Sequence, residues 1–249
     1  MTTAVIPCGG RGTRLAARYP DTPKELLPVA SKPLLQWTLD EAIAAGLERV
    51  VVVTSPSKPQ IASYLTARPP RSARGRLSIA LVVQPQPRGL GDAVTCARDH
   101  VAGDDVAVLL PDNLFARGVS AIAPVLAARR ATGLAAVLLA KQPPTAGATG
   151  RASVRPRPDG LLQVTAVADK GAGTDSPSLA PIGRMVFGPD VFERFERLRA
   201  GLAPGAELDD VPLLQTLAAE GRLVGVELDG PFYDAGVPEG YTAALNALS

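Results

Sequence analysis

A short apolar run that ends in a glycine-rich turn, Ala4-Val5-Ile6-Pro7-Cys8-Gly9-Gly10-Arg11-Gly12-Thr13-Arg14, constrains this chain more than any other stretch. The run predicts a buried first strand. The glycines let the backbone turn sharply with its amides exposed, which makes a nest for anions. Two glycine signatures do not fit. The dinucleotide pattern G-x-G-x-x-G fails because Leu15 stands where the third glycine belongs, and no Gly-Lys-Ser/Thr follows to complete a P-loop. Arg14, and further on Lys24 within Pro23-Lys24-Glu25-Leu26-Leu27-Pro28, add cations suited to phosphate oxygens and set this turn apart from a plain connection.

The 249 residues are enough for one large α/β domain with a substantial core. A formal charge of +2 without a long basic block, and only 4% aromatic residues, argue against a nucleic-acid surface and against a stacking platform for single strands. Apolar runs such as Val50 to Val53 and Val106 to Leu110 are too short to span a bilayer. The N-terminus has no basic segment followed by a signal-like apolar region, so a cytoplasmic protein is expected. Cys8 and Cys96 stand in no metal-binding or redox spacing, so neither a disulfide framework nor a zinc site is implied. Cys8 has no activating partner nearby in sequence and reads as a small residue packed beside a nucleotide base. His100, the one histidine, reads as a solvated residue near a helix end.

Along the chain, Ser31-Lys32-Pro33 predicts a helix start, with Leu35, Leu39 and Ile43 on one face and Gly46 as its stop. Val50 to Thr54 predicts a strand buried on both faces, followed by a helix around Gln60 to Leu65. Arg68 to Arg76 reads as a solvated connection, and Leu77 to Val83 as the next strand. A helix over Leu90 to Asp99 follows Gly89, and the strand Asp105 to Leu110 ends in Pro111-Asp112-Asn113. That places an acidic residue at the carboxyl end of a strand, where open α/β sheets hold ligands. A helix over Val119 to Arg130 ended by Gly133, a strand over Leu134 to Ala140 and a loop from Pro143 to Gly150 come next.

From Arg151 onward the segments shorten. Strands are expected at Leu161 to Ala168 and Pro181 to Phe187, divided by the glycine-rich Gly171 to Ser178, then helices at Pro189 to Ala200 and Val211 to Glu220. A strand at Leu223 to Leu228 and a terminal helix at Pro238 to Ala247 complete the reading. The alternation predicts a mainly parallel sheet.

The G-x-G-T-R segment followed by Lys24 within P-K-E-L-L-P-V resembles the signature of the sugar-1-phosphate nucleotidylyltransferases, and within them the bacterial glucose-1-phosphate uridylyltransferases. The likeness continues nearly end to end. It includes Gln84-Pro85 with Arg88-Gly89-Leu90-Gly91-Asp92-Ala93, Leu110-Pro111-Asp112, Asp169-Lys170, Ile182-Gly183-Arg184, Tyr233-Asp234-Ala235-Gly236 and Pro238-Glu239-Gly240-Tyr241. The resemblance implies a Rossmann-like α/β nucleotidyltransferase fold, a mixed, mainly parallel sheet flanked by helices, with a small acceptor-binding lobe. One domain would span 1–249, with about 1–140 binding nucleotide and about 141–249 forming the acceptor part and the C-terminal helices.

The implied reaction joins a nucleoside triphosphate, UTP or dTTP, to a sugar 1-phosphate and releases pyrophosphate, with Mg²⁺ as cofactor. By the resemblance, Arg14, Lys24, Asp112 and Lys170 are catalytic, and Asp112 and Asp234 hold the metal. Cys8, Gly9, Gly10, Gly12, Thr13, Gln84 and Gly89 meet the nucleotide. Asn113, Gly150, Asp169, Lys170 and Ser178 meet the acceptor.

The sequence departs from the family pattern on the acceptor side. Asp169 replaces a glutamate, Gly171 a proline, Ser178 an asparagine and Thr149 a tyrosine, so an acceptor other than glucose 1-phosphate is expected. After Arg14, Ala17 and Pro20 stand where relatives carry proline and lysine, with Arg18 as a substitute cation. Two alternatives stay open: a cytidylyltransferase acting on another phosphate or a phosphonate, and a catalytically silent regulatory paralogue. Arg14, Lys24, Asp112, Lys170 and Asp234 are all intact, which weighs against the second. Relatives are commonly homo-oligomers, but the chain ends soon after the terminal helix, without the extensions some of them use for assembly.

Overall fold

The computed structural model describes residues 1–72, 75–101, 103–142, 150–171 and 178–248. Among them, nine strands build one sheet: β1 (Thr2–Pro7), β2 (Arg49–Thr54), β3 (Ser78–Val83), β4 (Asp105–Leu109), β5 (Ala135–Gln142), β6 (Ala152–Pro156), β7 (Leu162–Val167), β8 (Ser178–Phe187) and β9 (Leu223–Glu227). Their order is β6-β7-β9-β5-β8-β4-β1-β2-β3. β1 pairs in parallel with β2 and β4, and β2 with β3, so the N-terminal strands form a continuous parallel block. β8 lies antiparallel between β4 and β5, and β7 antiparallel between β6 and β9, while β5 and β9 run in parallel. Only β7 and β8 therefore oppose the common direction. This is the mixed, mainly parallel α/β architecture expected from the sequence.

Strand periodicity sorts the core onto the two faces. In β1, Ala4 and Ile6 point to one side and Val5 to the other. The first side is covered by helices α1 (Leu34–Ala44), α2 (Pro59–Ala67) and α4 (Ile122–Thr132), the second by α3 (Leu90–Cys96), α5 (Val191–Ala200) and α6 (Val211–Ala219). The last helix, α7 (Pro238–Leu248), joins neither layer. Its Tyr241, Ala244 and Leu248 pack with Leu15, Leu27, Val29 and Leu34, and the Tyr241 hydroxyl donates to the Pro28 carbonyl at 2.7 Å. The C-terminal helix thus clamps the Pro23 to Pro28 segment against the body.

Helix α1 starts at Leu34, later than its sequence signal. Ala30 and Ser31 adopt φ of 48° and 66°, turning the chain so that Lys32–Pro33 pairs back on Pro28–Val29. Pro33 then sits at the N-cap. Helix α4 likewise begins at Ile122 rather than Val119, and it ends at Gly133 as expected. The expected helix over Leu90 to Asp99 is interrupted, with α3 ending at Cys96 and a separate short helix at Arg98–Val101. β6 was not anticipated, because its alternation of small and polar residues is that of a half-exposed edge. In the Arg68 to Arg76 connection, Arg71–Ser72 pairs with Gly75–Arg76 and residues 73–74 lie outside the described residues. So do Thr149 with most of the Pro143 to Gly150 loop, and residues 172–177 of the glycine-rich segment.

Candidate active site

The site is built at the carboxyl ends of the central parallel strands, the crevice that open α/β sheets offer to ligands. β1 delivers the glycine turn and β4 delivers Asp112. Gly12 takes φ 63°, a left-handed conformation that allows the turn into the short helix Thr13–Ala16. Among the described residues, the N–H groups of Gly9 to Thr13 donate to no other protein group, and these five residues line one cavity of about 530 Å³. The arrangement is an open set of donors for phosphate oxygens.

A small ribbon explains how Asp234 reaches Asp112. Asn113–Phe115 pairs antiparallel with Phe232–Asp234, Asp234 lies opposite Asn113, and Ala235 N donates to the Asp112 carbonyl at 2.7 Å. The two carboxylates converge over Gly236. A methyl group there would stand 2.7 Å from Asp112 Oδ2 and 3.0 Å from Asp234 Oδ1. Lys24 Nζ forms a close ion pair with Asp112. Burial works to raise the Asp112 carboxyl, but the Lys24 charge and hydrogen bond override it and leave it lowered. Asp234 is raised, by burial first and then by the Asp112 charge. Burial opposes the Lys24 ammonium, yet Asp112 and Glu25 hold its affinity for the proton above the ordinary lysine value. Two crowded carboxylates, one of them raised by the other's charge, suit a divalent cation that takes few protein oxygens.

The cavity brings together most of the expected residues. Besides the glycine turn it is lined by Arg14, Lys24, Gln84, Gly89, Asp112, Asn113, Gly150, Lys170 and Asp234. Gly89 sits at φ 99°, and a Cβ there would meet the Leu208 carbonyl oxygen at 2.4 Å, so only glycine fits between this turn and the segment before α6.

Four expected residues do not line the cavity. Cys8 is fully buried beneath the turn, its N–H donating to the Val53 carbonyl at 2.6 Å, and burial followed by the Glu25 charge pushes its thiol well up. It does not line the cavity, and a thiol so raised is not an activated nucleophile. Asp169 turns away and accepts from Gln215 Nε2 at 2.9 Å. Ser178 is held in β8 opposite Gln142, with a buried hydroxyl. Arg18, the substitute cation, packs on the Tyr19 ring at 5.6 Å instead of reaching the cavity.

Other residues were missed. Lys58, at the entrance to α2, donates to the Cys8 carbonyl at 2.8 Å and to both Glu25 oxygens, tying the glycine turn to the Lys24 segment. A lone lysine in Ser-Pro-Ser-Lys-Pro gives no sequence cue to this. The buried pair Arg184–Glu41 stands behind the turn that carries Asp112. Arg184 donates to the Leu110 and Asn113 carbonyls at 2.9 and 3.0 Å, while Glu41 accepts from Arg184 and from Ile122 N. Glu207, Asp209 and Asp210 also line the cavity. Lys170 Nζ lies 2.6 Å from Asp209 and 3.5 Å from Asp210. Asp210 is pushed up to about 7 by burial and its hydrogen bond with Asp209. For Asp209 burial is outweighed by that same bond and by Lys170. In the sequence this acidic pair reads only as a helix N-cap before Val211.

A family model described as Nucleotidyl transferase matches residues 3–248. The chain belongs to the nucleotidyl transferase family. This nucleotidyltransferase is 30% identical over 97% of its length to the UTP–glucose-1-phosphate uridylyltransferase of Pseudomonas aeruginosa, 94% of which is matched. It is 29% identical over 96% of its length to the enzyme of the same name from Bacillus subtilis strain 168, 87% of which is matched. A crystal structure of UDP-glucose pyrophosphorylase complexed with UDP-glucose superposes with a TM-score of 0.86 at 26% identity, covering 99% of this nucleotidyltransferase and 98% of that chain.

Proposed function

We propose that this nucleotidyltransferase couples UTP or dTTP to a sugar 1-phosphate or a related phosphate, releasing pyrophosphate and forming a nucleotide sugar. The observation that carries the reading is the ion pair of Lys24 with Asp112 beside Asp234, in one cavity with the free amides of the glycine turn and with Lys170. Relatives whose names state this reaction support it.

The attacking phosphate is already largely dianionic near neutral pH, its second pKa being about 6, so no side chain has to remove a proton. The protein's task is alignment and relief of charge repulsion. The amides of Gly9 to Thr13, with Arg14, would hold the triphosphate and take up charge on the departing pyrophosphate. Lys24 keeps its proton and sits where donor and acceptor phosphates would meet. Lys170, released from Asp209, would hold the acceptor phosphate. Asp112 and Asp234 fit Mg²⁺, which when bound neutralises phosphate charge. Base recognition falls to Gln84 and Gly89. Among the described residues no helix is long and apolar enough to cross a membrane, and we place the reaction in the cytoplasm.

The test is pyrophosphate release with Mg²⁺ across UTP, dTTP, CTP, GTP and ATP against a panel of sugar 1-phosphates, with Asp112→Asn as control. Release confined to one donor and one acceptor, and lost in the variant, is expected. Release that survives in Asp112→Asn overturns the metal assignment.

A further inference from the structure

The Gln84 side chain, almost wholly buried, has both amide hydrogens engaged. Nε2 donates to the Gly89 carbonyl at 3.2 Å and to Asp92 Oδ2 at 2.7 Å. Both partners are pure acceptors, so the reversed amide would set its oxygen against a carboxylate and a carbonyl. Asp92, in the first turn of α3, is itself fixed from α5, where Arg199 Nη2 donates to Asp92 Oδ1 at 2.8 Å. The Gln84 oxygen then lies over Gly9, where a Cβ would stand 2.4 Å from it, and both residues line the cavity. No described protein group donates to that oxygen.

A glutamine with both donors spent offers its ligand an acceptor only. Uracil and thymine present a ring N–H between two carbonyls and satisfy it. Cytosine and adenine in the same register would turn a ring-nitrogen lone pair toward it, leaving two acceptors opposed in a buried place. Guanine shares the ring N–H, and this group does not separate it from uracil. We infer that Asp92, clamped by Arg199, fixes the Gln84 amide with its oxygen toward the base and so selects nucleotides bearing a ring N–H over CTP and ATP. The inference rests on the reading of this cavity as a nucleoside triphosphate site. Asp92 and Arg199 are positioning residues, since both act through Gln84.

Calorimetric binding of UTP, CTP and ATP with Mg²⁺ tests this without an identified acceptor, on the parent chain and on Asp92→Asn, Asp92→Leu, Arg199→Met and Arg199→Lys, each first checked for a parent-like melting curve. The parent should bind UTP at least ~30-fold more tightly than CTP, the scale of one buried unmatched polar contact. In Asp92→Asn the new amide can donate to a reversed Gln84, and the UTP/CTP ratio should fall about tenfold, within the range of one hydrogen bond. Asp92→Leu and Arg199→Met should lower the ratio too, and Arg199→Lys should restore it. Equal binding of UTP and CTP by the parent, or a ratio unmoved in both Asp92 variants, overturns the inference and leaves the nucleotide site standing. Failure of every triphosphate to bind overturns both.

Discussion

The Lys58 ammonium lies 2.9 Å from both carboxylate oxygens of Glu25, and the pair is closed off from solvent under the glycine turn. The next residue back from Glu25 is Lys24, so whatever holds Glu25 also sets the reach of the ammonium proposed to meet the phosphates.

Lys58→Met leaves Glu25 buried without its counter-charge and should cost about 3–5 kcal/mol of stability. Burial already raises the Glu25 carboxyl against the pull of Lys58, and removing Lys58 raises it further. A carboxyl raised in the fold contributes stability that is full below its unfolded value and lost as pH rises through the folded one. The variant's deficit in urea unfolding should therefore grow from pH 5 to pH 8. A deficit that does not change with pH would contradict the assignment.

Gly236→Ala places a methyl between the two acidic residues that converge there. Displacing a carboxylate by a fraction of an ångström should lower pyrophosphate release about 100-fold and raise the Mg²⁺ concentration needed, with little change in melting temperature. A Mg²⁺ titration measures both, and a parent-like curve would remove Gly236 from the site.

Arg184→Ala opens a buried hole behind the Asp112 turn and strands Glu41, at a cost of about 3–5 kcal/mol. Arg184→Lys keeps the charge but not the planar fork that reaches Glu41 and two carbonyls at once. It should fold with partial loss and show a kcat deficit larger than its change in KM, since the disturbed turn carries Asp112, the carboxylate proposed to hold Mg²⁺. Steady-state kinetics at saturating Mg²⁺ decides this.

Asp210, raised to about 7, holds a proton in the folded chain that the unfolded chain releases at lower pH. Its contribution to stability is full below about pH 4 and lost as pH climbs through about 7. Asp209 has the opposite sign, and its contribution disappears only in strong acid. Asp210→Asn mimics the protonated form, so it should melt higher than the parent at pH 8 and no higher at pH 5. Identical pH slopes for the two chains would refute the raised carboxyl.

The order of elements was legible because hydrophobic period and turn residues are local signals. The run Val50 to Thr54 and the Gly133 stop can be read where they stand. The cations and carboxylates that line the cavity, Arg14, Lys24, Asp112, Lys170 and Asp234, could be singled out through motif chemistry. What could not be read was the pairing of distant residues. Nothing near Asp112 in sequence announces the ribbon that sets Asp234 beside it, nor does Glu41 name Arg184 as its partner. Asp169 failed for the same reason. Its type fits an acceptor contact, but Gln215 on α6 claims it. The missed edge strand β6 and the late start of α1 arise from sheet pairing and from left-handed residues at Ala30 and Ser31, neither of which has a periodic signature.

β8 enters the sheet between β4 and β5, so these two strands, successive in the sequence of the sheet, are not neighbours in space. A cut near residue 140 would leave the edge of β4 bare and would part Arg184 from Glu41. The part of the chain after about residue 140 therefore cannot be exchanged like a cassette to retarget the enzyme. New specificity has to be written residue by residue into the cavity wall, while the interleaved strand stays in place.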